Sequence, residues 1–364
     1  MQDAHESSRI RTYDYVIVCN GVFSGPHVPA FEGEERFDGA VLHSSQLRDR
    51  QRLAGRRVVV VGGGKSAYDC AEAAGRDASQ CTMVLRSPHW LAPRYVMGLR
   101  ADWLILTRVA QALLPYHTKH GAAALLHGPG KPLVDLYWRF MMWFLIRAMD
   151  IPDALEPEVP LPVGLQDVGA GTELYDLVRA GRVEPKPAEI AEFVDGETVR
   201  LSTGETVPAD VLICATGWVQ SIDFLGPSLR DPVCDDDGFF TLYRHIVPPR
   251  EPRLGFIGYA SSIGTTMSSE VSAHWLSSHF LGRMERPDED RMYEEIGKVK
   301  QWAEVYLPRE SSGHAVAVCL VDFLDQLLRD MDVPVHRASN WCSEYFGRVH
   351  ASRFRGLQEQ RRRH

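Results

Sequence analysis

Arg57-Val58-Val59-Val60-Val61-Gly62-Gly63-Gly64-Lys65-Ser66-Ala67-Tyr68-Asp69-Cys70-Ala71 is the stretch on which the reading of this chain turns. Four consecutive valines predict a strand buried on both faces, as in a parallel sheet. The glycines after it let the chain turn sharply and bring its backbone close to a ligand. Ser66 to Ala74 reads as the helix that follows. Its free N–H groups and positive dipole end would face a pyrophosphate. Gly62, Gly64 and Ala67 occupy the three small positions of a G-x-G-x-x-A spacing.

That spacing is weak by itself, so its surroundings decide. A second apolar strand, Cys81 to Leu85, ends at Arg86 and Ser87, about 24 residues after Gly62. An NAD-binding unit places Asp or Glu there, on the ribose 2′-hydroxyl. Arg86 suits a 2′-phosphate instead, because a guanidinium pairs with phosphate and a carboxylate would oppose it. The unit is therefore expected to take NADP(H). Arg86 and Ser87 would hold the 2′-phosphate, and Gly62, Gly64, Ser66 and Ala67 the pyrophosphate. Lys65 is either a lesser charge contact or a solvent-facing lysine at the helix start. In the plainer alternative the glycines form only a tight strand-to-helix turn and Arg86 lies on the surface. The ordered sequence of strand, turn, helix and second strand favours the nucleotide.

At 364 residues the chain has room for about two domains, and 45% hydrophobic with 24% charged residues is ordinary for a soluble globular protein. A net charge of −8 argues against nucleic acid as the main partner. The seven cysteines include no C-x-x-C pair, which argues for a reducing compartment and against a dithiol reductase or structural zinc. His117 and His120 are three apart without the H-E-x-x-H arrangement, so no metal site is expected. Met1 to Thr12 is polar and mixed in charge; no signal peptide is read there, and the expected location is cytoplasmic.

Outward from the valine strand, Tyr13 to Gly21 reads as a buried strand closed by a glycine turn, and Ser24 to Pro29 as an extended connector. Asp210 to Gly217 repeats the pattern of Asp14 to Gly21 with the same spacing of seven, an internal repeat of one structural part. The second copy has a full nucleotide-binding unit ahead of it and the first has only twelve residues. The expectation is that a first nucleotide-binding half preceding Tyr13 lies outside this chain. Leu133 to Arg147 predicts an aromatic-rich helix too short in its uninterrupted apolar run to span a bilayer. Arg139 and Arg147 lie close to one face, so contact with a membrane surface is open beside packing as a helical insertion. Glu197 to Val207 predicts a hairpin that feeds the strand Val211 to Cys214. Leu254 to Ala260 is a further buried strand, and Ser268 to Leu281 a helix with Glu270 in its first turn. Glu285 to His364 is helical and more polar, closing in a solvated tail.

Together these residues resemble the flavin-containing monooxygenase family. Phe37, Gly39, His43 and Leu47 stand at its linker signature. Val60, Gly62, Gly64, Ser66 and Ala67 match its nucleotide loop, and Ala215-Thr216-Gly217-Trp218 its later signature. Val18 to Gly21 and Phe256 to Gly258 match its flavin-side turns. The resemblance runs from about Tyr13 to Leu281. It implies an α/β flavoprotein with two dinucleotide-binding domains, a Rossmann-like NADP(H) domain inserted into an FAD domain that is incomplete here. Residues 1–50 would be the remnant of the FAD domain and its linker. Residues 51–218 would bind NADP(H) and carry a helical insertion at 95–165; 219–285 would return to the FAD domain; 286–364 would be a helical C-terminal region. The family's N-terminal FAD fingerprint has no counterpart in these matches.

The resemblance implies an enzyme in which NADPH reduces FAD and oxygen then forms a flavin C4a-hydroperoxide. A small-molecule soft nucleophile, an amine nitrogen or sulfide sulfur, takes one oxygen atom from O2. Asn20, Gly21, Thr216 and Gly217 would lie where the two nucleotide domains meet, or would simply end strands. His43 would order the linker. No catalytic residue is assigned. Alternatives are a Baeyer–Villiger or indole-pyruvate type monooxygenase, or a non-catalytic or split NADP(H)-binding module that pairs with a separate FAD domain or forms a homo-oligomer.

Overall fold

Val58, Val59 and Val60 are fully buried, and their strand, Arg57–Val61, lies inside a five-stranded parallel sheet. In this computed structural model, which describes all residues except 1–10, 94, 97, 164–166, 171–172, 236–237, 308–314 and 362–364, the strand order is Val183–Pro187, Gln80–Leu85, Arg57–Val61, Val211–Cys214, Ala40–His43. The period of two along the strand divides the valines between two layers. Val58 and Val60 face one apolar cluster with the helix Lys65–Asp77; Val59 faces another with Phe193, Val199 and Leu201. From the valine strand the chain moves to Gln80–Leu85 on one side and later returns to Val211–Cys214 on the other. The crevice at such a reversal, outside the carboxyl ends of the strands, is where open α/β sheets bind ligands.

The predicted hairpin is present as Thr198–Leu201 and Thr206–Pro208, antiparallel. A third strand, Ile190–Asp195, which the pattern did not single out, completes a meander over the Val59 face of the sheet. Asp210 then pins the sheet. Its carboxylate accepts from the Arg57 backbone N–H at 2.8 Å and from Arg57 Nε at 3.1 Å. These bonds hold the Asp210 carboxyl at about 2, below its ordinary range. Asp210 therefore stabilises the fold fully above its unfolded value near ~3.9, and this contribution fades as pH falls toward 2. Asp210→Asn is expected to cost about 1–2 kcal/mol at neutral pH, measured by urea denaturation, and to converge with the parent near pH 2.

Both copies of the internal repeat end in a glycine with left-handed backbone, Gly21 at φ 76° and Gly217 at φ 87°. The first copy differs from expectation in burial. Its strand is only Val16–Val18, paired with Leu254–Phe256 along one edge, so Tyr15, Val16 and Ile17 stay about half exposed while Val18 is buried. The helix Thr265–Phe280 starts three residues before Ser268, so Glu270 falls in its second turn and does not complement the helix dipole from the first. Gly264 is the N-cap, and Ser268 already lies inside the helix with its hydroxyl donating to Ala260 O (2.9 Å) and Thr265 O (3.0 Å).

The C-terminal region is less polar than its composition suggests. On the helix Leu320–Asp330, Leu320, Phe323, Leu324, Leu327 and Leu328 are fully buried in the same cluster as the nucleotide-side helix. The tail is docked as far as Arg361, whose Nη1 donates to His274 O at 2.8 Å; 362–364 lie outside the described residues, as do 1–10. The insertion contains the helices Arg108–Leu113, Gly121–His127 and Lys131–Ala148. Trp138 ties the last of these inward, its Nε1 donating to Leu113 O at 2.9 Å. Among the described residues no helix is long and apolar enough to cross a membrane.

Candidate dinucleotide site

At the end of the valine strand Gly62 adopts φ 136° and donates its N–H to Val84 O at 2.9 Å. A Cβ on Gly62 would overlap the carbonyl oxygen of Ala215, so the turn and the neighbouring strand end meet backbone to backbone. Ala67, fully buried, has its own Cβ 3.4 Å from that point, and the small third residue of the spacing lets the helix sit tight against the turn. Gly63 is as confined: a Cβ there would lie 2.8 Å from Ser87 O. The chain leaving Gln80–Leu85 thus folds back on the glycine turn and brings Arg86 and Ser87 beside it.

Gly64 is the N-cap of the helix Lys65–Asp77, in extended conformation, and no side chain caps this helix. Ser66 is exposed at its second position. An uncapped helix start presents N–H donors and a partial positive charge to an anion. Lys65 directs its Nζ to Asp69 Oδ2 at 2.5 Å, one turn along, which matches the helix-start alternative better than a cradle over the turn. The Arg86 side chain is 81% exposed, and its Nε stands 3.8 Å from Glu189, beyond hydrogen-bond range. Its guanidinium thus lies on the surface in a loose ion pair with Glu189, the position that the plainer alternative expects of it. His89 was not foreseen. Its ring lies 3.2 Å from where a Gly63 Cβ would be and 3.9 Å from the Gly64 equivalent, so it walls one side of the turn. No spacing rule marks that histidine in the sequence.

The second group of predicted residues gathers around a short antiparallel ladder between Gly25–Pro26 and Trp218–Val219. Thr216 Oγ1 donates to His27 O, and His27 N donates to Gly217 O at 3.0 Å. Asn20 is held on its other side: Nδ2 donates to Ser221 O at 3.0 Å and Oδ1 accepts from the Tyr259 hydroxyl at 2.7 Å. His43, fully buried, places Nε2 2.9 Å from Gly217 O and Nδ1 2.8 Å from Ser45 Oγ, with its ring edge-on to Trp218. These bonds give His43 the linker-ordering geometry. Because Ala215 abuts Gly62, the ladder begins next to the glycine turn. Asn20 and Gly21 lie just past the end of the strand Val16–Val18, which pairs with Leu254–Phe256.

The residues present fit a phosphorylated dinucleotide at Gly62–Ala67: close backbone approach, an uncapped helix start and an outward guanidinium. For a flavin the fit is partial. Gly21 and Gly258, both with left-handed backbone (φ 76° and 90°), leave room at the strand ends. The pair Val16–Val18 and Leu254–Phe256, however, brings no G-x-G-x-x-A turn of its own among the described residues.

A parallel sheet with a glycine turn at its reversal point, joined by a ladder to a second strand pair built on the same repeat, has the architecture of the two-dinucleotide-domain class. The chain belongs to the flavin-binding monooxygenase-like family, whose sequence model matches residues 1–122 and 165–336. It is 29% identical over 332 residues to dimethylaniline monooxygenase [N-oxide-forming] 2 of Cavia porcellus, covering 89% of this chain and 58% of that protein. Among solved structures it is similar to OTEMO in complex with FAD and NADP, with a TM-score of 0.60 and 16% identity over 89% of this chain and 74% of that one. It is also similar to Tmm from Pelagibacter sp., with a TM-score of 0.53 and 18% identity over 88% of this chain and 52% of that one. The chain thus spans little more than half the length of two of these three relatives.

Proposed function

We propose that this chain is an NADPH- and FAD-dependent monooxygenase that transfers one oxygen atom from O2 to a soft nucleophile, an amine nitrogen or a sulfide sulfur. Membership of the flavin monooxygenase family supports the reaction class. The observation that supports the cofactor assignment is the Gly62–Gly64 turn packed against Ser87 O at an uncapped helix start, with the solvent-facing Arg86 next to Ser87 in the chain. Bound FAD would supply hydride acceptance and oxygen activation, and the protein the orientation and the exclusion of water. This chain's own residues bind and orient the nicotinamide nucleotide: the turn admits the pyrophosphate, the helix start neutralises it, and Arg86 selects the 2′-phosphate.

Arg86→Ala is expected to weaken NADPH binding about 10- to 100-fold, the range of a lost charge-assisted contact, and to leave NADH binding almost unchanged. Nucleotide fluorescence titration of the purified chain measures both. Equal weakening of the two nucleotides would remove the assignment.

A second reading is favoured by the half-exposed strand Val16–Val18, which is paired along one edge. Here the chain acts as an NADP(H)-binding module whose flavin side is completed by a further segment or a separate FAD-domain partner. Absorbance in the flavin bands separates the two. A yellow protein supports the enzyme, and a colourless chain that still binds NADPH supports the module.

A further inference from the structure

The helix Lys131–Ala148 has two apolar faces and buries only one. Val134 is buried, and Trp138, Met142 and Leu145 pack on the core. On the opposite side Leu133, Leu136, Phe140 and Trp143 recur at three- and four-residue steps and are all more than half exposed. A helix apolar all round is ordinarily buried all round, so this outward stripe calls for an occupant.

We infer that the stripe docks the protein on an anionic lipid surface, with the helix lying flat in the headgroup region. Aromatic residues suit that region because one part of the ring system is apolar and, in Trp and Tyr, another can hydrogen-bond. Arg147 caps the stripe with its guanidinium 4.7 Å from the Trp143 ring centre, placed to reach headgroup phosphate while its stem stays on apolar surface. The charge of the helix is complementary to such a surface. It bears Lys131, Arg139 and Arg147 against Asp135 alone, in a chain whose net charge is −8. Lys131 is neutralised by Asp135 at 2.7 Å, which leaves Arg139 and Arg147 flanking the stripe. The helix also falls in the stretch between residues 122 and 165, outside the two segments that the family's sequence model matches. It is independent of the oxygenase reading, since no residue of the nucleotide turn takes part.

The test is co-sedimentation of the full chain with vesicles of equal parts phosphatidylcholine and phosphatidylglycerol, and with vesicles of phosphatidylcholine alone. The chain is expected to pellet with the mixed vesicles. Phe140→Glu combined with Trp143→Glu should lower that partitioning at least about tenfold. Arg139→Glu with Arg147→Glu should remove the preference for anionic vesicles, again about tenfold. All four side chains face solvent, so circular dichroism melts should match the parent. As a readout on parent-like protein, brominated lipid should quench tryptophan fluorescence less in Trp143→Leu than in the parent. Parent chain that stays in the supernatant overturns the inference. So does equal quenching in the two proteins, or self-association by sedimentation velocity that Phe140→Glu and Trp143→Glu abolish; the last would make a second copy the occupant.

Discussion

Gly62→Ala is expected to destabilise the protein by about 2–5 kcal/mol and to abolish measurable NADPH binding, read by urea denaturation and by fluorescence titration. Two costs combine. At φ 136° an L side chain is strained, and the added Cβ would overlap Ala215 O, a backbone atom that cannot rotate away. Relief requires the valine strand and Val211–Cys214 to part at their carboxyl ends, which is where the nucleotide is proposed to lie. The comparison is Gly204→Ala. Gly204 also has left-handed backbone, φ 87°, but a Cβ there would meet nothing within 4 Å. It should cost about 1–2 kcal/mol and leave binding intact. Equal losses in the two variants would show that backbone conformation alone, without close approach, explains Gly62.

Arg108→Ala is expected to cost about 3–5 kcal/mol, among the largest effects of any single side-chain truncation in this chain. Arg108 enters a nearly closed site where its Nη2 donates to Asp325 Oδ1 at 2.9 Å and to Val335 O at 2.6 Å, and its Nε donates to Glu344. The three side chains are 13%, 10% and 5% exposed. Burial pushes the Glu344 carboxyl up, but donation from the Ala338 N–H and from Arg108 outweighs it, and the group stays below its ordinary value. Without Arg108 two carboxylates would remain buried with their main cation gone. Their protonation would then accompany folding, so the variant should regain stability as pH falls through the mildly acidic range, opposite to the behaviour expected of Asp210. Denaturation of Arg108→Ala at neutral and at mildly acidic pH checks this. A loss below about 1 kcal/mol, or one that does not shrink with pH, would show that the cluster does not hold the insertion to the C-terminal helices.

The strand, turn and helix around Gly62 were legible in the sequence. A buried parallel strand needs apolar residues on both faces, and a backbone that closes on its neighbour needs glycine; both demands are local and are written in Val58 to Gly64. The repeat of Asp14 to Gly21 in Asp210 to Gly217 was equally readable, because both copies end in the same left-handed turn. Burial of the first copy was not readable. Whether Val16 and Ile17 meet solvent depends on how many strands join that edge, and nothing in Tyr13 to Gly21 states it. Glu270 was placed one turn too early because the helix begins at Thr265, behind Gly264, and not at Ser268.

The amino-acid order alone determined the valine strand, the glycine turn and the helix behind it, because each follows from backbone geometry and side-chain chemistry within a few residues. Only the tertiary structure decided that His89 walls the turn, that Lys65 turns to Asp69, that Leu320–Asp330 is core, and that one face of Lys131–Ala148 stays bare. Those outcomes rest on contacts between segments far apart in the chain, and an apolar residue carries no local mark of whether its partner is protein or solvent.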